Sequence, residues 1–226
     1  MAISIDTVYQ KVLTFANKEQ RGYITPQEFN LYADQAQKEI FEQYFYDLNQ
    51  FSRIPGNSSE YSDIKHNINE KIAAFEKTGN GTTLPSGIDD SLRLHRLGTV
   101  ICDGYEVEEV QQNELLHMNQ SYLTAPSKKR KVYVRTGESS IVVYPSATGV
   151  TYTYVAVPTK PYWGYVVINK RAMYDASNKV NFQLHPSEES ELVYKILKFA
   201  GISMSRLDLM RAGQVQEQSQ VQQEKQ

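Results

Sequence analysis

Apolar residues return at helical spacing over one long stretch near the start of the chain: Phe29, Ala33, Ala36, Ile40, Tyr44 and Leu48. That period predicts a helix from about Pro26 to Gln50. Its first turn is legible in Thr25-Pro26-Gln27-Glu28. The hydroxyl accepts an orphan N–H, proline stands where no N–H is missed, and glutamate reaches back from the third position. Leu31, Tyr32, Phe41, Phe45 and Phe51 widen the stripe, which predicts cover on more than one side. Before it, Asp6 is placed to cap a helix from Thr7 to about Lys18, with Val8, Val12, Leu13 and Phe15 or Ala16 inward. Gly22 breaks that helix, and Tyr23 or Ile24 can staple against Phe29. After the loop Pro55-Gly56-Asn57-Ser58-Ser59, a third helix fits Glu60 to Lys77, with Ile64, Ile68, Ile72 and Phe75 on one face and a stop at Gly79-Asn80-Gly81. Residues 1–80 therefore read as a helical bundle.

From Thr82 the pattern changes. Leu92, Leu94 and Arg96 to Cys102 read as a strand or strand pair around Gly98, and Val107 to Gln120 as a helix with Val110, Leu115, Leu116 and Met118 inside. Strand signals follow at Val132 and Val134, at Ile141 to Tyr144, at Val150 to Val157 and at Tyr165 to Ile168. Their connections are short, which favours an antiparallel sheet over residues 81–184. His185-Pro186-Ser187-Glu188-Glu189 opens a last helix with Leu192, Val193, Ile196, Leu197 and Ala200 buried and Gly201 as its stop. Residues 185–213 are expected to pack on the bundle. The Gln-rich stretch 214–226 has only Val215 and Val221 to bury, so it is disordered or becomes helical on another surface. The expected fold class is α+β: an N-terminal helical bundle, an antiparallel β region, and a C-terminal helix with an extended or helical tail.

Composition sharpens this. Of 226 residues 40% are hydrophobic and sixteen are Tyr, so much of the apolar area carries a polar tip and suits wettable contact surfaces. A net charge of −2 argues against a nucleic-acid binder as a whole. Cys102 is the one cysteine, which excludes an intrachain disulfide and fits a reducing site of assembly. No apolar run is long enough for a membrane helix, and the start lacks a secretion signal pattern, so a soluble protein is expected.

The parts of an enzyme are missing. There is no G-x-S-x-G, no G-x-x-x-x-G-K-[ST], no H-E-x-x-H and no dinucleotide glycine string. His66, His95, His117 and His185 are scattered and read as surface or capping residues. Cys102 reads as a small buried hydrophobe, and the acids Asp89-Asp90 and Glu106 to Glu109 as solvated. Neither catalysis nor a cofactor or metal is expected. Lys128-Lys129-Arg130-Lys131 is the one basic cluster, a contact for DNA or an acidic partner or else a solvated loop. Trp163 with Pro158, Pro161 and Tyr162 forms a rigid patch that anchors an interface or caps the sheet. The interface residues expected from the aromatic and tail patterns are Tyr44, Tyr46, Tyr152, Tyr154, Tyr162, Trp163, Leu207, Met210, Val215 and Val221.

Two stretches are more specific. Asn17-Lys18-Glu19-Gln20-Arg21-Gly22-Tyr23-Ile24-Thr25-Pro26-Gln27-Glu28-Phe29-Asn30, continuing through Ala36-Gln37 and Glu39-Ile40-Phe41-Glu42, resembles the N-terminal signature of virion structural proteins of tailed bacteriophages, especially crAss-like phages. Ile141 to Pro145, Val150 to Pro158, Pro161-Tyr162-Trp163 and Phe182 to Glu189 resemble the layout of the same proteins and of podovirus head-to-tail adaptors. The resemblance implies a head-tail connector, a ring component of the virion neck. It would have about twelve copies in a closed homo-oligomer, assembled in the host cytoplasm. Its expected partners are copies of itself, the portal protein, adjacent neck or tail proteins and the DNA in the channel, with no membrane. The alternative is a nucleic-acid-associated regulatory protein acting through Lys128 to Lys131.

Overall fold

Thr25 and Glu28 make the reciprocal bonds anticipated for the start of the long helix. In the computed structural model, Thr25 N–H and Oγ1–H donate to Glu28 Oε2 at 2.9 and 2.7 Å, and Glu28 N–H donates to Thr25 Oγ1 at 3.3 Å. The structure describes residues 2–17, 24–53, 59–86 and 93–203, together with 215–216 and 218–219. In chain order the elements are α1 (Ile5–Asn17), α2 (Pro26–Arg53), α3 (Ser59–Ala73), β1 (Glu76–Asn80), β2 (Leu94–Cys102), β3 (Tyr105–Glu109), α4 (Gln112–Met118), β4 (Val132–Arg135), β5 (Ile141–Tyr144), β6 (Val150–Ala156), β7 (Tyr165–Ile168), β8 (Arg171–Tyr174) and α5 (Glu189–Ser203). The fold is α+β. It divides into a helical unit, Met1–Ala74 with Pro158–Gln226, and a sheet unit, Phe75–Val157. Residues 158–184, read from sequence as the end of the β-rich region, thus belong with the helices.

In the helical unit Ser4, and not Asp6, caps α1: Thr7 N–H reaches Ser4 Oγ at 3.5 Å. Val8, Val12 and Ala16 are buried and Phe15 is exposed, so the inward position falls to Ala16. Ile24 and Phe29 are both buried, as a staple requires, while Tyr23 lies outside the described residues. On α2 the stripe Phe29, Ala33, Ala36, Ile40 and Tyr44 is buried, but Leu31 and Tyr46 face solvent, so the cover is narrower than the sequence suggests. α5 packs on α1 and α2, with Leu192, Val193, Ile196, Leu197 and Ala200 all buried. It runs past Gly201 to Ser203; this glycine is buried within the helix and does not end it.

Two amides on α2 hold the returning chain. Gln37, fully buried, donates from Nε2 to Thr159 O at 2.8 Å and accepts Gln183 N–H on Oε1 at 3.0 Å. Two turns further back on the same face, Asn30 accepts Trp163 N–H on Oδ1 at 2.8 Å and donates to Trp163 O at 3.4 Å. Outside the β7–β8 ladder and the Tyr162↔Val180 bridge, the segment Pro158–Leu184 has few ladder bonds, and these side chains supply partners for its backbone. Gly164 follows Trp163 in a close approach of chain to chain, where an added Cβ would lie 2.1 Å from Asn178 O. β7 and β8 form a hairpin through Asn169 and Lys170, both at positive φ (51° and 63°), as a two-residue turn of the twisted type demands. β8 was not expected, because no glycine marks that turn.

The sheet unit is a six-stranded sheet in the order β1-β6-β2-β3-β4-β5. The third helix stops at Ala73, and Glu76–Asn80, expected as its last turn and stop, is strand β1, paired from Glu76↔Val155 to Asn80↔Thr151. Every side chain of β1 is polar or absent, so no hydrophobic period announces it. Gly79 is needed there, since an added Cβ would meet the Tyr152 ring at 2.5 Å. The helix expected over Val107–Gln120 is two elements. Tyr105–Glu109 is β3 and only Gln112–Met118 is helical, with Leu115 buried and Leu116 exposed. The sheet is also not wholly antiparallel, because β3 pairs parallel to β4 at Glu108↔Val132 and Glu109↔Tyr133. The intervening residues 110–131, which contain α4, supply the long crossover that a parallel pair needs. One face of the sheet buries Val100, Cys102, Tyr133, Ile141, Val143 and Tyr152, and α4 covers Val132 and Val134 behind β4.

Thr25→Ala is expected to cost about 1 kcal/mol at neutral pH, the usual worth of such a cap. Glu28 is held below its ordinary carboxylate range by the Thr25 hydroxyl and then the Thr25 N–H. This contribution is present above the ordinary Glu pKa and is lost as pH falls through the depressed folded value. Urea titrations of both proteins should show the gap narrowing towards acid. A gap that widens would contradict the assignment.

Candidate functional site

Most of the aromatic residues expected at an interface are used inside the two units. Trp163 is 3% exposed and its indole N–H donates to Asp6 Oδ1 at 2.9 Å. Its ring stacks on Tyr174 at 5.5 Å and leans on Tyr9 at 4.4 Å between centroids. Trp163, at the centre of that patch, is therefore core of the helical unit. Tyr44, Tyr152 and Tyr154 are also buried, and the Tyr152 hydroxyl donates to Thr83 O at 2.8 Å. Tyr162 is half-buried, and its backbone exchanges bonds with Val180 at 3.0 and 2.9 Å. Tyr46 and Val215 do face solvent. Leu207, Met210 and Val221 lie outside the described residues, as do Asp89 and Asp90.

The exposed apolar surface is elsewhere. Val166, Val167, Ile168 and Met173 stand out on the β7–β8 hairpin, Val167 at 63%. A continuous apolar run reads as a strand buried on both faces, but a two-stranded ribbon cannot bury both of its own. Tyr122 and Leu123 project from the stretch after α4 with almost no cover. Their signal in the sequence was slight: two apolar residues among Asn, Gln, Ser and Thr.

The basic cluster does not act as a unit. Lys128, Lys129 and Arg130 are exposed, and Arg130 lies 3.7 Å from Glu108. Lys131 is 2% exposed, its ammonium 2.5 Å from Asp103 and 3.1 Å from Cys102 Sγ. Asp103 first, and Cys102 second, hold its proton above the ordinary lysine value. Cys102 is buried and its thiol donates to Thr148 O at 2.9 Å. Lys131 thus ties the β2–β3 turn to the start of β4, and of the run only Lys128, Lys129 and the Glu108-paired Arg130 stay at the surface.

The remaining titratable groups are dispersed. No group of three or more metal-ligating side chains occurs among the described residues, and none of the helices there is long and apolar enough to cross a membrane. His185 caps the turn before α5, accepting Ser187 N–H on Nδ1 at 3.3 Å. Glu106, Glu108 and Glu109 are all exposed, and Glu109 accepts the Tyr133 hydroxyl at 3.1 Å. Burial, and then the Glu109 charge, push the Tyr133 phenol from 10.0 up to about 12. This group's share of stability is complete below pH 10 and lost as pH rises from there towards 12. Tyr133→Phe should remove that loss, so that thermal melting across this alkaline window falls less steeply than in the parent. An unchanged slope would refute it.

A concave site does occur in the helical unit, between α2, α3 and the turn that opens α5, with Tyr44, Phe51, Ile64, Lys71 and Glu188 on its wall. Lys71 Nζ reaches Glu188 Oε1 at 2.6 Å and lies over the Tyr44 ring at 5.8 Å. Set against known proteins, the chain matches no family model and no curated sequence.

Proposed function

We propose that this chain is a structural connector, an adaptor ring in the neck of a tailed phage virion that joins portal to tail, forms part of the DNA channel and acts by assembly. The observation that carries the reading is the β7–β8 hairpin, which sets Val166, Val167, Ile168 and Met173 in solvent on a ribbon too small to cover them. Tyr122 and Leu123 form a second uncovered point in the sheet unit. Two separate apolar patches suit heterologous contacts, in which different surfaces of neighbouring copies meet and a ring closes. The resemblance of Asn17 to Glu42 to virion structural proteins supplies the particular assembly. The mildly acidic chain would let DNA pass without holding it.

Size-exclusion chromatography with light scattering and negative-stain imaging, with and without a portal protein, tests this. Ring-sized particles are expected from the parent chain, and Val167→Asp with Ile168→Asp should shift them to monomer without changing the helical circular dichroism. A parent that stays monomeric and ignores portal and tail proteins would overturn the proposal. The rival reading, a nucleic-acid-associated regulator, requires salt-dependent DNA binding that vanishes when Lys128, Lys129 and Arg130 become Ala.

A further inference from the structure

The cavity between α2, α3 and the start of α5 encloses about 380 Å³, within the range of sites that hold small ligands or single side chains. Its wall is apolar over Ile40, Tyr44, Phe51, Ile64 and Ile68. Its polar edge is anionic: Asp47, Glu70, Glu188 and Glu191 face it against Lys71. Glu188 is 0% exposed, and both of its described partners, Lys71 Nζ at 2.6 Å and Ser187 Oγ–H at 3.1 Å, sit on the same oxygen, Oε1. The other oxygen, Oε2, is buried and accepts no hydrogen bond. A carboxylate oxygen withdrawn from water without a donor is a vacant acceptor position, and such positions are rare unless something fills them.

We infer that this cavity receives one guanidinium or ammonium group carried on a short apolar stem, with its N–H on Glu188 Oε2 and the stem along Tyr44, Ile64 and Ile68. The charge argues for a cation, since Asp47, Glu70 and Glu188 outnumber Lys71 there even with Glu191 paired to Lys195 at 3.4 Å. The apolar wall argues for a stem and against a bare hydrated ion. The acids are also too dispersed for a metal, as no cluster of three ligands occurs among the described residues. The same chemistry comes from two sources, an arginine or lysine side chain of another protein or a free alkylamine. The inference rests on the cavity alone and stands apart from the connector reading.

The test is calorimetric titration of the full chain with n-butylguanidinium and n-butylammonium, with n-butanol and butyrate as controls, and amide NMR to locate the response. The cations should bind saturably, at least about tenfold more tightly than either control, and shift amides in α3 and at residues 185–191. Glu188→Gln should weaken binding by about tenfold or more. Because that change also removes the Lys71–Glu188 ion pair, Asn67→Trp, an exposed position on the cavity rim, serves as the second variant. It should block binding while leaving the Lys71–Glu188 pair intact. A short peptide with one arginine and its citrulline twin separate the sources. A preference for the arginine peptide over n-butylguanidinium assigns the site to a partner's side chain, and the reverse assigns it to a free amine. No saturable binding by either cation, equal binding of n-butanol, or binding undiminished in Asn67→Trp would overturn the inference.

Discussion

Trp163→Ala is expected to cost the helical unit about 3–5 kcal/mol, the range for truncating a large buried aromatic ring. The residue has every reason to reach that range. Its ring is sandwiched against Tyr9, Tyr165 and Tyr174, its indole N–H is bonded to Asp6, and its backbone is clasped by Asn30. Truncation leaves a cavity where aromatic rings now meet and leaves Asp6 Oδ1 without that donor. Equilibrium urea unfolding followed by circular dichroism should show a lower midpoint with little change in slope. As the only tryptophan, Trp163 is also a reporter in the parent protein. Its fluorescence should be blue-shifted and move to the red as the helical unit unfolds. A loss under about 1 kcal/mol would mean that the surroundings collapse onto the vacancy.

Gln37→Leu is expected to cost about 3 kcal/mol, although it replaces a polar residue on a buried helix face by a hydrophobic one of similar size. Simple hydrophobic reasoning predicts the opposite sign. The amide, however, satisfies two backbone groups at once, Thr159 O and Gln183 N–H. A buried backbone group left without a partner costs about 1–3 kcal/mol, which outweighs what the extra apolar contact returns. Chemical denaturation distinguishes the signs directly. Stabilisation would show that water replaces the amide, and that the return segment does not depend on α2 for its bonds.

These two residues mark where the sequence is and is not legible. The start of α2 was readable because Thr25 and Glu28 act on neighbours three residues away, so the whole device lies within one turn. The buried stripe of α5 and the positions of β4, β5, β6 and β7 were readable for the same reason, through local period. Asn30 and Gln37 look like ordinary helix-surface residues, and only the return of a segment more than a hundred positions later makes them internal. β1 was hidden because Glu-Lys-Thr-Gly-Asn has no apolar period, and its place depends on the pairing with β6. The parallel pairing of β3 with β4 was likewise a matter of topology, since Val107 and Val110 suit a helix face as well as a strand. The tyrosines misled for a different reason. A phenol suits an interface or a core equally, and Tyr44, Tyr152 and Tyr154 are core while the aliphatic residues of the β7–β8 hairpin are exposed. In the basic run, spacing could not reveal that Lys131 turns inward to Asp103 while its three neighbours stay in solvent.

The chain departs from the helices at Ala74 and rejoins them at Pro158, and the strands next to those two points, β1 and β6, lie side by side, with Ala156 N–H bonded to Phe75 O at 3.0 Å. The sheet is therefore a cassette whose two ends are zipped to each other by its own ladder. Loops within it, including the one that bears Tyr122 and Leu123, can lengthen, shorten or be exchanged while the spacing of the two junctions stays fixed. Such an arrangement lets one half of a protein diversify its contacts while the other keeps a constant core.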